Sequence, residues 1–207
     1  MSYLHCIDHP LAADLMTRLR DRTTKQAKYR ALCDRITFPL ALEAGKVLGL
    51  EEREVETPLE TTTGHRLAES IVLVPILRAG LGMLASFLQL YPRSSVGIIG
   101  LERDEETAKA DTYYCKLPKL EGAQTFLLDP MLATGGSACR GLHMVRKRGA
   151  APDTTIISII ASPEGVERVH AEFPEVRIIT AAVDRGLNEH RYILPGLGDF
   201  GDRLFGT

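Results

Sequence analysis

The chain has 207 residues, of which 44% are hydrophobic and 25% charged, and its formal net charge is −2. That length suits one domain with a full core, and the composition is that of an ordinary soluble globular protein. The slight acidity excludes bulk electrostatic attraction to nucleic acid or an anionic membrane, and no apolar run nears the ~20 residues of a membrane span.

The opening residues Met1 to Asp8 lack a charged segment followed by an apolar one, so no leader is expected. Cys6, Cys33, Cys115 and Cys139 lie far apart with no C-x-x-C pair, which predicts reduced thiols and a cytoplasmic protein. Residues 10–49 read as two helices. Leu11, Leu15 and Leu19 recur at four-residue spacing, and Ala27, Ala31 or Leu32, and Ile36 continue the pattern. Pro39 is expected to kink or end the second helix. Residues 53–60 alternate as a half-buried strand or hairpin arm, with a turn at Thr61 to Gly64.

From residue 70 the texture changes. Apolar strands are predicted at Ile71 to Val74, Ser95 to Ile99, Phe126 to Leu128, Ile156 to Ile160 and Val176 to Ala182. Helices are predicted over 80–90, 137–148 and 163–173, the last with Ser162 as N-cap and Pro163 at the first helical position. Fully apolar strands alternating with helices predict an α/β fold, a parallel sheet covered on both faces. Residues 102–112 are polar and read as a mobile excursion. Residues 183–207 are rich in glycine yet carry Ile193, Leu194, Leu197, Phe200, Leu204 and Phe205, too apolar for a disordered tail; they are expected to fold over something.

The most telling segment is Asp129-Pro130-Met131-Leu132-Ala133-Thr134-Gly135-Gly136-Ser137, between a strand and a helix. The glycines bare backbone N–H groups, Thr134 and Ser137 add hydroxyls, and the helix N-terminus adds partial positive charge. Such a turn cradles a phosphate, and Asp129 at its lip suits sugar hydroxyls. In an open parallel sheet, ligands bind beyond the carboxyl ends of the strands. Pro75 to Gly80, Leu101 to Arg103, Asp129 to Ser137 and the tail from Asp184 all leave in that direction. Arg78 and Arg103 offer planar forks suited to a diphosphate. Gly80-Leu81-Gly82-Met83-Leu84-Ala85 also fits the dinucleotide fingerprint, with Glu102 about twenty residues on. The residues before Gly80 stretch that turn, and the fingerprint leaves 129–137 unexplained.

With these segments quoted, the chain resembles the uracil phosphoribosyltransferase family over essentially its whole length. The resemblance is carried by His9-Pro10-Leu11, Val74 to Gly82, Arg103 with Glu105-Glu106-Thr107, Asp129 to Ser137, and Gly186-Leu187-Asn188-Glu189-His190 with Tyr192 to Asp199. It implies a type I phosphoribosyltransferase-like core with a parallel sheet flanked by helices, an N-terminal extension of helices and a β-arm, and a C-terminal glycine-rich hood. The expected division of the single domain, 1–207, is about 1–69, 70–183 and 184–207. The implied reaction joins uracil to 5-phosphoribosyl 1-diphosphate (PRPP), giving UMP and diphosphate with Mg²⁺ as cofactor. Carried onto this sequence, Arg78, Asp129 and Asp199 would be catalytic. Arg78, Arg103, residues 129–137 and Asp199 would bind PRPP. Ile193, Gly198, Asp199 and Phe200 would frame uracil. Mg²⁺ would be held mainly by PRPP and water rather than by protein ligands.

The same resemblance implies a homodimer or higher homo-oligomer and GTP as a candidate effector, with neither nucleic acid nor membrane as partner. Phe200 departs from the small residue usual in bacterial relatives, and Glu102 and Asp104 stand where some carry Tyr and Asn. His190 is the one histidine near the expected site, with a tail-fixing role as open as a functional one. Two other classes are kept in view: a catalytically silent or RNA-binding regulator on the same fold, and a nicotinamide-dependent oxidoreductase built on Gly80 and Gly82.

Overall fold

The structure, a computed structural model, describes residues 3–103 and 110–207, and of Glu102, Arg103, Ala110 and Asp111 the backbone alone. Strand β1 (Leu4–Cys6) leads into helix α1 (Pro10–Arg20), whose first turn is closed by Leu11 N–H donating to His9 Nδ1 at 3.0 Å. Helix α2 (Gln26–Ala44) follows. The buried stripe of α1 is Ala12, Leu15, Met16 and Leu19. Leu11 lies one position, about 100°, off that face and is half exposed. In α2, Tyr29, Leu32, Cys33 and Ile36 face inward, while Ala27 and Ala31 do not. Pro39 does not end α2. Leu40, Ala41 and Ala44 beyond it are fully buried, and that packing outweighs the one helical hydrogen bond a proline removes.

A long hairpin pairs β2 (Leu50–Glu56) with β3 (Thr61–Leu67). The turn comes earlier than the sequence pattern suggested. Thr57 donates both its N–H (3.0 Å) and its hydroxyl (2.7 Å) to Glu60 O, so Thr61 to Gly64 open β3 instead of forming the bend. Most of both strands is exposed.

The remaining elements alternate. They are β4 (Ser70–Leu77), α3 (Leu81–Leu90), β5 (Ser95–Val96), β6 (Ile98–Arg103), β7 (Ala110–Lys116), β8 (Ala123–Leu128), β9 (Met131–Leu132), α4 (Gly136–Lys147), β10 (Thr155–Ala161), α5 (Pro163–Glu172) and β11 (Arg177–Val183), then β12 (Gly186–Leu187), β13 (Ile193–Leu194) and α6 (Phe200–Phe205) in the tail. The central sheet runs β1-β11-β10-β8-β4-β6-β7, parallel throughout except where β7 turns back on β6. The expected strand at 95–99 is split at Gly97, whose N–H goes to Leu73 O at 2.9 Å. Strand β7 overlaps the polar stretch 102–112 expected to be an excursion; residues 104–109 of that stretch lie outside the described residues.

Side-chain alternation sends successive strand residues to opposite faces. Phe126 and Leu128 join Leu15, Ile36 and Phe87 under α1 to α3, while Leu127 joins Leu142, Val145 and Val169 under α4 and α5. A sheet covered on both faces explains why β4, β8 and β10 are almost wholly apolar. Among the described residues, no helix is long and apolar enough to cross a membrane. The carboxyl ends of β4, β6, β8, β10 and β11 open on one edge, where the chemistry-bearing segments collect.

Candidate active site

Two close approaches bring three of those segments together. A Cβ on Gly80 would collide with Leu128 O and come within 2.7 Å of Ile76 N and O, so the turn after β4 lies directly against the end of β8. A Cβ on Gly82 would meet Leu204 Cδ2 at 2.7 Å and Phe200 Cε1 at 3.2 Å, so α6 is seated on the start of α3. The glycines of the dinucleotide-like fingerprint are therefore accounted for by packing: one admits the neighbouring strand, the other the tail. Arg78, at the tip of the same turn, is 57% exposed; its Nη2 stands 4.0 Å from Asp202 Oδ1 and its guanidinium 5.6 Å from the centre of the Phe205 ring. The Leu77–Arg78 peptide is cis.

The 129–137 loop forms a small cavity of about 60 Å³ lined by Asp129 and by Met131 to Ala138. Gly135 takes a left-handed φ of 73° at the N-cap of α4, a conformation a side chain disfavours. With no side chain there, the first N–H groups of α4 are left for something else, and Gly136 N–H makes only a long 3.4 Å contact with Thr134 Oγ1. By contrast α5 is capped from within, Gly165 N–H donating to Ser162 Oγ at 3.1 Å. The loop is held from below: Pro130 O accepts from Ile159 and Ile160 N–H (3.0 and 3.1 Å), and Ser162 donates its hydroxyl to Ala133 O at 2.6 Å and its N–H to Leu132 O at 2.9 Å. Such support fixes the loop's open N–H groups in place without a ligand.

Asp129 is buried, 9% exposed. Burial pushes its carboxyl up from 3.8 to about 7, and the Met131 N–H pulls it back only in part. Its backbone is tied to β10 by Asp129 N–H to Ile157 O (3.1 Å) and by the Ser158 hydroxyl donating to Asp129 O (2.7 Å). A carboxyl so placed and so poorly solvated gains most from a partner that donates hydrogen bonds to it.

The tail is fastened at its start. Arg20 Nη1 and Nη2 donate to Asp184 at 2.7 and 2.6 Å, Arg20 Nη1 also reaches Gly196 O at 2.9 Å, and Gly196 N–H donates to Asp184 Oδ2 at 2.8 Å. Burial alone would raise the Asp184 carboxyl, but Arg20 and the Gly196 N–H outweigh it and hold it below its ordinary value. Arg203 secures the far end, donating to Leu19 O, Leu197 O and Asp21 O at 2.5 to 2.7 Å and lying 4.4 Å from the centre of the Tyr29 ring.

Of the expected base-framing residues, Ile193 is buried in the β12–β13 pair and Gly198 is exposed with φ of 78°. Asp199 is exposed and caps α6, accepting Asp202 N–H at 2.9 Å. The Phe200 ring is not beside them. It is 1% exposed, edge-on to Tyr29 with centroids 5.6 Å apart, so only its backbone is available to a base. His190 does not tie the tail; its Nε2 contacts the adjacent Glu189 at 3.4 Å and its side chain is 74% exposed, while Asn188 Oδ1 accepts Tyr192 N–H and closes the hairpin. Arg103 ends β6 at the same sheet edge, and Asp104 lies outside the described residues. Arg20 and Arg203 escaped the sequence reading, since nothing local marks a partner more than 160 residues away. Arg168, beside the 129–137 loop, escaped it as well.

A family model described as Uracil phosphoribosyltransferase matches residues 6–207. A protein named uracil phosphoribosyltransferase from Thermoanaerobacter sp. is 48% identical over 203 residues, covering 97% of this chain and 96% of its own. A solved protein structure from Aquifex aeolicus superimposes with a TM-score of 0.94 at 40% identity, covering 99% of this chain and 98% of its own. An adenine phosphoribosyltransferase from Leishmania donovani shares the fold at 16% identity, with a TM-score of 0.58 over 91% of this chain and 86% of its own.

Proposed function

Because the chain belongs to the uracil phosphoribosyltransferase family, we propose that the edge formed by the β4–α3 turn, the 129–137 loop and the tail is where uracil meets PRPP. The chain transfers the 5-phosphoribosyl group of PRPP to N1 of uracil, giving UMP and diphosphate in pyrimidine salvage. The observation that carries the assignment of the edge is the seating of Gly80 on Leu128 O and of Gly82 on Phe200, which draws a phosphate loop, an exposed arginine and a glycine-rich hood around one opening.

In this reading the cavity of 129–137 takes the ribose 5-phosphate on the N-terminal N–H groups of α4. Asp129 accepts the ribose hydroxyls, and Arg78 and Arg103 take the diphosphate. Backbone groups at Ile193, Gly198 and Phe200 read the base, with Asp199 between base and PRPP. As the bond from the anomeric carbon to diphosphate breaks, charge leaves with the diphosphate. Positioning and charge stabilisation therefore matter more than a strong nucleophile. The site fits Mg²⁺ held mainly by the oxygens of PRPP and by water, as this ion keeps several waters, with the exposed Asp199 reaching it through a bound water. When bound, the ion neutralises the diphosphate; Arg78 and the loop N–H groups position the same anion from the protein side.

The exposed β2–β3 hairpin supports the homodimer or higher oligomer in this proposal, because a lone two-stranded hairpin is marginal in water and gains from a second copy. GTP as an effector enters from the family resemblance alone. A cytoplasmic setting agrees with four unpaired thiols. The test is UMP formation from labelled uracil, with and without PRPP and Mg²⁺, and with cytosine, hypoxanthine and orotate as competitors. Product that needs PRPP and is unaffected by the other bases is the expected result. No UMP from a folded protein would overturn the reading.

A further inference from the structure

The 129–137 loop contains no lysine or arginine, and the ligand it is proposed to hold is a dianion. Backbone N–H groups and a helix end supply partial charges only. A full charge nevertheless stands against it. Arg168, on the outer face of α5, donates from Nη1 to Thr134 O at 3.3 Å, and that nitrogen lies 3.4 Å from where a Cβ on Gly136 would be. The stem of Arg168 runs beside Gly135, its Cβ and Cδ each 3.4 Å from the corresponding Cβ position there. The guanidinium thus lies beside Gly136 at the rim of the cradle, outside the residues that line the cavity itself.

The charge also has no carboxylate partner among the described residues. On a helix, an arginine's natural partners are acids four residues before and after it. Glu164, one turn before, is turned to the tail and accepts Leu187 N–H at 3.0 Å. Glu172, one turn after, is engaged by His143 of α4. Among the described residues, no carboxylate stands within 4.0 Å of Arg168. Both helix acids are occupied elsewhere, and the guanidinium is shared between the Thr134 carbonyl and the Cys139 thiol, neutral acceptors that leave its charge unpaired and some of its five donors over.

We infer that Arg168 is a further substrate-binding residue: its remaining donors reach the ribose 5-phosphate and supply the positive charge the loop itself lacks. The inference rests on the proposed placement of that phosphate in the 129–137 cavity. It assigns Arg168 to the 5-phosphate end of PRPP and UMP, and leaves the diphosphate end to Arg78 and Arg103.

Arg168→Gln keeps an N–H donor for Thr134 O and loses the charge, so it separates charge from bracing. The experiment measures KM for PRPP, KM for uracil and kcat, together with inhibition constants for ribose 5-phosphate and for inorganic diphosphate, in the full chain carrying Gln or Lys at this position. Losing one charge-assisted contact predicts a rise of about tenfold in KM for PRPP and in the ribose 5-phosphate constant. The diphosphate constant and uracil KM should stay within about twofold and the thermal midpoint should not move, and Arg168→Lys should restore most of the loss, because a point charge still serves a phosphate. An unchanged ribose 5-phosphate constant, or equal losses for ribose 5-phosphate and diphosphate, would overturn the inference. Both readouts require an active wild-type enzyme, so a wild type that makes no UMP overturns the proposed function instead.

Discussion

Arg20 and Asp184 stand 164 positions apart and meet through two hydrogen bonds of 2.7 and 2.6 Å, a bidentate pair that ties the end of α1 to the first residue after β11. Asp184 is nearly buried, with 6% of its side chain exposed, while Arg20 retains 27%. The pair fixes where the hood leaves the sheet, and the additional Arg20 contact to Gly196 O carries that constraint to the bend after β13.

Arg20→Ala should therefore destabilise the protein by about 3 kcal/mol, because it strands a buried carboxylate. Asp184 is held below its ordinary value of 3.8. A depressed carboxyl contributes stability that is complete above the unfolded value and is lost as pH falls through the folded one. Removing Arg20 forfeits that contribution, so the acid-unfolding midpoint should move to higher pH. Urea unfolding at pH 7 and a pH titration of the variant check both; identical midpoints would show the pair to be ornamental.

Asp129→Asn should fold and lose about 100-fold in turnover, since the amide cannot accept from two ribose hydroxyls as a carboxylate does. Burial raises the Asp129 carboxyl from 3.8 to about 7. The folded state then binds this proton more tightly than the unfolded chain, so its contribution to stability falls as pH rises from about 4 to 7. Activity runs the other way: kcat/KM for PRPP should climb through pH 7 as the carboxylate forms. The variant should show a flatter profile and, at pH 8, be no less stable than the wild type. A folded variant with near-normal turnover would remove Asp129 from the chemistry.

Arg78→Lys should raise KM for PRPP at least about tenfold and slow turnover, with KM for uracil little changed. Lysine keeps the charge but loses the planar fork that matches a diphosphate. The side chain is more than half exposed, and its nearest acid, Asp202, is at 4.0 Å, so little folding energy is at stake. Steady-state kinetics with each substrate varied in turn distinguish this from a structural effect, which would change both Michaelis constants.

The layers and the strand–helix alternation could be read from the chain because burial on both faces makes Ile71 to Leu77, Phe126 to Leu128 and, apart from Ser158, Ile156 to Ala161 apolar. The phosphate loop was legible for a similar reason, as its glycines follow directly on a strand that ends in an acid. Strand β7 was not: it pairs on one side only, at the sheet edge, and Tyr113, Tyr114 and Cys115 stand between polar residues instead of in a continuous aliphatic run. Leu11 was misplaced because four-residue spacing alone does not fix which side of a helix faces the core. The reach of Arg168 to Thr134 O and the grip of Arg20 on Asp184 depend on the folded juxtaposition of segments far apart in sequence, which no local pattern encodes.

Phe200 carries a packing role that the sequence did not show. From the sequence it frames uracil, and its truncation should alter affinity modestly. In the structure its ring is 1% exposed, packs edge-on to Tyr29 and lies where Gly82 leaves room for it. Phe200→Ala should therefore cost about 3–5 kcal/mol of stability and loosen α6 from α3. Choice of base should survive, because the backbone of the hood reads it. Uracil presents an acceptor at O4 and a donor at N3, and cytosine presents the reverse, so fixed N–H and C=O groups at Ile193 and Gly198 to Phe200 leave cytosine's buried polar atoms unpaired. Rejection on that basis reaches roughly 10⁴-fold. Thermal unfolding and competing-base kinetics on the folded fraction of the variant measure the two effects separately. If folded Phe200→Ala used cytosine as efficiently as uracil, selectivity would belong to the ring, and the backbone account would fail.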